Sequence, residues 1–107
     1  MKLSIKNRIN FGILYPEKGD ILTQLLVKSI AEKVVLTIEE IKKIGLKQEG
    51  TLLQWDQRKD KDKEVEFTEA EINLLKERVK ELDEKKEINQ QVLELCLLIQ
   101  EYKTKEK

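Results

Sequence analysis

Apolar residues along this chain recur mostly at intervals of three and four, the spacing that gathers side chains onto one face of a helix. Ile5, Ile9 and Ile13 follow that interval and predict a short helix over 4–14, with Ser4 at its start. Tyr15-Pro16-Glu17-Lys18-Gly19 reads as a turn, because proline pre-sets one backbone angle and glycine tolerates the left-handed region. Asp20 stands where an N-cap belongs, and Leu22, Leu26, Ile30 and Val34 follow in register, widened by Ile21 and Leu25. That pattern predicts a helix of about four turns, mostly buried along one side.

A second start comes at once. In Thr37-Ile38-Glu39-Glu40, threonine can accept from an N–H three residues on while Glu40 reaches back, a capping box. Ile38, Ile41 and Ile44 share a face, and Gly45 is a natural stop. The period then changes. Leu46 to Gln48, the pair Glu49-Gly50, and Thr51 to Asp56 read as a small β-hairpin with Leu53 and Trp55 on one face.

Residues 57–64 carry charge with no apolar partner and predict a solvated, mobile loop; Val65 and Phe67 can add a third short strand. Thr68 opens another capping box with Glu71, before a helix with Ile72, Leu75, Val79 and Leu82 at coiled-coil spacing. Ile88, Val92, Leu95, Ile99 and Tyr102 repeat that spacing out of phase with it. A break near Lys85 to Ile88, capped by Asn89, restores both seams and predicts an antiparallel helical hairpin. One long bent helix is the alternative, since neither glycine nor proline marks the break. Residues 103–107 read as a frayed charged tail.

The expected architecture is therefore mainly α within an α+β class. It has about five helices and a small β-hairpin before the C-terminal helical hairpin. One domain spans 1–107: a helical part with the β-hairpin over 1–56, the charged loop over 57–64, and the helical hairpin and tail over 65–107. A chain of 107 residues has room for one core. Both charged and hydrophobic residues make up 39% of it, too hydrophobic for a disordered chain and too charged for a typical enzyme.

Charge and chemistry narrow the function more than they define it. The 21 basic and 21 acidic residues cancel, which argues against coating nucleic acid by overall attraction. No histidine is present, removing the usual general base and the commonest metal ligand. The single cysteine, Cys96, rules out an intramolecular disulfide and lies in an apolar stretch where a packed thiol is expected. Adjacent carboxylates Glu39-Glu40 and Asp83-Glu84 point about 100° apart on a helix, so neither pair converges on a substrate. Asp60-Lys61-Asp62-Lys63-Glu64 begins like a calcium loop, yet Val65 replaces the required glycine and lysines interrupt the acids. Catalytic, cofactor-binding and metal-ligating residues are all expected to be absent.

Two surfaces remain as candidates. The two terminal helices carry apolar residues beyond their seams, Leu74 in the first and Leu93, Leu97 and Leu98 in the last, which is apolar nearly all round. That marks either a central core helix or one that also meets a partner, and with Tyr102 these are the candidate interface residues, for self-association or another protein. The order helix, turn, helix, hairpin over 20–56 is also compatible with a winged helix-turn-helix. Its nucleic-acid contacts would be Lys2, Lys6, Arg8, Lys42, Lys43 and Arg58. Glu39 and Glu40 in the first turn of the would-be recognition helix oppose that reading. No stretch is long and apolar enough for a bilayer, and the N-terminus lacks the pattern of a signal peptide, so a membrane partner is not expected.

Four blocks carry a family likeness: Ile13-Leu14-Tyr15-Pro16-Glu17-Lys18-Gly19-Asp20, Leu36-Thr37-Ile38-Glu39-Glu40-Ile41, Lys47-Gln48-Glu49-Gly50 with Trp55, and Leu82-Asp83-Glu84-Lys85-Lys86. Together they resemble a family of small uncharacterised bacteriophage and prophage proteins. The resemblance implies no activity and no binding residue. It implies a viral origin, as a minor structural or assembly component or a binder of a host factor, in the host cytoplasm or in the virion.

Overall fold

A computed structural model describes residues 1–103; the expected tail from 104 on lies outside them. The elements are β1 (Lys2–Leu3), α1 (Ile5–Asn10), a 3₁₀ turn (Phe11–Leu14), α2 (Ile21–Val34), α3 (Ile38–Ile44), β2 (Lys47–Glu49) and β3 (Leu52–Gln54), then a second 3₁₀ turn (Gln57–Lys59), β4 (Lys63–Glu64), α4 (Glu69–Glu84) and α5 (Gln90–Glu101). The fold is mainly helical, with two small antiparallel strand pairs.

Local chemistry starts each helix as expected. Asp20 accepts from the Thr23 N–H at 2.7 Å, both threonine capping boxes form, and Asn89 caps α5. α4 and α5 are separate helices. After Lys85 the backbone of Lys86 turns left-handed, at φ 57°. The Glu87 N–H then donates to the Leu82 carbonyl and the Lys86 N–H to that of Asp83, the bond pair of a Schellman stop. Gly45 ends α3 in the same way at φ 66°, with Leu46 N–H on Ile41 and Gly45 N–H on Lys42.

The core gathers Leu3, Phe11, Leu14, Ile30, Val34, Val65 and Phe67 around the seams of α4 and α5, among them Leu75, Val79, Leu95 and Ile99. The rings of Phe11 and Phe67 stack at 5.9 Å.

The structure corrects several expectations. Ile5 is buried as expected, but the buried side of the first segment continues through Asn7, Arg8, Phe11 and Leu14, and Ile13 is exposed. Beyond Asn10 the chain tightens to 3₁₀ geometry, which brings residues three apart onto one line and rotates Ile13 outward. In α2 only Ile30 and Val34 are buried, so its first two turns stand clear of the core. The segment 57–64 is not a uniform loop: it holds the second 3₁₀ turn and β4, which pairs with β1 through Lys2–Glu64 and Leu3–Lys63. Val65 and Phe67 follow that strand as buried core residues and do not extend the β-hairpin.

In the β-hairpin itself, Glu49 pairs with Leu52, so the two-residue turn is Gly50-Thr51, one residue later than the Glu49-Gly50 expected. Gly50 takes φ 61°, as the first position of a type II′ turn requires.

Candidate interaction surface

α5 runs with Val92, Leu95, Cys96 and Ile99 toward the core, which leaves Leu93 and Leu97 on the outside. Leu93, Leu97 and half-buried Leu98 line a shallow groove of about 370 Å³ with Gln90, Glu94 and Glu101. Glu94 accepts a 3.5 Å hydrogen bond from Asn7 Nδ2, which ties α5 to α1. The structure thus brings three of the five expected interface residues together. Leu74 and Tyr102 are elsewhere: both pack against the core, and Tyr102 sets its edge on Phe67 at 6.2 Å.

A second apolar surface lies on α2. Ile21, Leu22 and Leu25 are 81%, 66% and 57% exposed, and their spacing makes them neighbours on the helix. Sequence reasoning placed these residues inside, because periodicity identifies an apolar face without saying what covers it. Val35, Ile38 and Leu52 are exposed as well.

Of the residues of the nucleic-acid reading, Arg8 is turned inward. Arg8 is buried and pairs inward: Nε donates to the Val34 carbonyl at 2.9 Å, and Nη2 to Val35 at 2.8 Å and Glu40 Oε1 at 2.9 Å. An arginine with these partners at the junction of α2 and α3 is withdrawn from the candidate contacts. Lys6 lines a groove of about 330 Å³ with Ile9, Leu52, Leu53 and Trp55. Lys43 lines a different, 130 Å³ pocket with Glu40, Lys59 and Lys61. Lys2 and Lys42 are exposed, and Arg58 folds back onto Asp56 at 3.1 Å.

Electrostatics assign the perturbed carboxylates to structural roles. The Arg8 hydrogen bond holds Glu40 down at about 2, helped by the Thr37 N–H and opposed by burial. Burial pushes Glu71 upward, but hydrogen bonds from Lys33, the Thr68 N–H and Ser29 outweigh it and leave its pKa lowered. Capping predicted one partner for each glutamate; the arginine and lysine from distant segments were not visible in the sequence. Burial, with a smaller contribution from Asp83, raises the Cys96 thiol, so this side chain is a packed group held in its protonated form. Asp60 takes the Ile5 N–H at 3.4 Å and Trp55 Nε1 at 3.2 Å, which fastens the acidic segment to the body. Among the described residues, no group of three or more metal-ligating side chains is placed to hold an ion, and no helix is long and apolar enough to cross a membrane.

No protein-family model, curated protein or solved structure matches this chain.

Proposed function

We propose that this protein works by contact with other proteins and not by catalysis, as a phage-type interaction or minor assembly module that also self-associates. The observation that carries the reading is the apolar face of Ile21, Leu22 and Leu25, exposed at 57% or more on the first turns of α2. Its surroundings suit a second copy. Asp20, Lys28 and Glu32 supply both signs of charge around it, so two α2 helices can meet antiparallel with opposite charges facing. Zero formal net charge removes the overall repulsion that keeps many small proteins apart.

Sedimentation velocity over a wide concentration range tests this directly. The unaltered chain should associate reversibly, while Leu22→Asp with Leu25→Asp should sediment as a monomer with an unchanged helical circular dichroism spectrum. A wild-type chain that stays monomeric throughout would remove self-association from the reading. Tight binding to duplex DNA with a steep salt slope would replace it with the winged-helix alternative.

A further inference from the structure

The groove on α5 carries a charge bias that the α2 face lacks. Gln90, Leu93, Glu94, Leu97, Leu98 and Glu101 line it, so its floor is leucine and every charge on its rim is negative. α5 from Gln90 to Glu101 contains no lysine or arginine, although the whole chain has as many bases as acids.

A second copy of this face is a poor occupant, because a two-fold contact sets each acidic rim against its own copy. A phosphate backbone or an anionic lipid surface meets the same repulsion. The occupant that satisfies both floor and rim is a helix presenting aliphatic residues three and four apart, flanked by lysine or arginine.

Resting on the protein-contact reading, we infer that the α5 groove docks a basic amphipathic helix of a different protein. The leucines supply most of the affinity by excluding water. Glu94 and Glu101 select the sign of the partner and quicken its approach.

Three synthetic 18-residue helical peptides test the inference by fluorescence anisotropy with the full chain. They share one leucine pattern and carry lysine, glutamine or glutamate at the flanking positions. The lysine peptide should bind about tenfold more tightly than the glutamine peptide at low salt, the combined effect of two rim charge pairs. That advantage should shrink as salt rises, and Glu94→Lys with Glu101→Lys should transfer the preference to the glutamate peptide. Leu97→Ala should weaken all binding while leaving thermal unfolding nearly unchanged, since Leu97 is 46% exposed. Equal binding of the lysine and glutamine peptides would overturn the basic partner but leave protein contact standing. Binding of none of the peptides would overturn the groove as a docking site, and self-association through α2 would then be judged by sedimentation alone.

Discussion

At the scale of single residues, the side chain that most determines the arrangement of the N-terminal half is Arg8. Its guanidinium is fully covered and saturates two carbonyls at the end of α2 together with the Glu40 carboxylate of α3. Replacing it with alanine leaves those carbonyls and a partly buried carboxylate without a partner. Arg8→Ala should therefore cost roughly 3–5 kcal/mol, read as a lower urea midpoint at unchanged slope. Lysine should not rescue it, because a single ammonium cannot reproduce the planar fork that reaches three acceptors. The same pair makes stability depend on acid. Glu40 titrates at about 2 in the folded chain against an ordinary 4.5, so it binds fewer protons folded than unfolded. Its contribution is complete above pH 4.5 and is lost as pH falls toward 2. Acid unfolding of Glu40→Gln should accordingly show a shallower loss of stability across that window than the wild type. A pair of curves with the same slope would show that the Arg8 contact contributes nothing there.

At the scale of elements, the break between α4 and α5 was legible as a change of phase, because Ile88 could not share a seam with Leu82. What stops α4 was not legible. The left-handed position that glycine fills after α3 is filled here by Lys86 at φ 57°, and no residue preference announces a lysine in that role. Lys86→Gly should then raise stability by about 1 kcal/mol, since glycine adopts this conformation without the clash of a Cβ. For a domain of this size that is a rise in Tm of about 4–8 °C; an unchanged or lowered Tm would mean the strain at Lys86 is already relieved. Leucine burial within α5 divides as the helical period dictates, and the consequences differ sharply. Leu95→Ala removes a fully buried side chain and should cost about 2–5 kcal/mol, whereas Leu97→Ala on the outer face should cost under about 1 kcal/mol. α2 shows the limit of periodicity. α4 meets its second half, where Ser29 and Lys33 reach Glu71, and among the described residues no element covers Ile21, Leu22 and Leu25. Whether an apolar stripe is covered depends on where another element ends, which spacing within the stripe does not encode.

At the scale of the whole molecule, the two strand pairs contrast in how they are fastened, and only the hairpin was legible in the sequence. The β-hairpin has a recognisable turn and three paired residues on each strand, yet all six strand side chains are exposed. A two-stranded hairpin that supplies no residue to the main core is marginal in water. The β1–β4 ladder pairs only two residues per strand, Lys2 with Glu64 and Leu3 with Lys63, a separation beyond the reach of any local signal. It is nevertheless anchored in the core by Leu3, Val65 and Phe67. The Val65 N–H donates to the Met1 carbonyl at 2.9 Å, and the Met1 ammonium donates to the Val65 carbonyl at 2.9 Å. Opening the hairpin withdraws no side chain from the main core, so its amides should exchange through cheap local fluctuations. Opening β1–β4 withdraws three core side chains, so the Val65 amide should exchange only with unfolding of the α4–α5 core. Native-state hydrogen exchange followed by NMR separates the two cases. Amides of Lys47–Glu49 and Leu52–Gln54 should exchange orders of magnitude faster than those of Val65, Leu75 and Val79. A Val65 amide as labile as the hairpin would mean that burial of Leu3, Val65 and Phe67 does not hold β1 to β4.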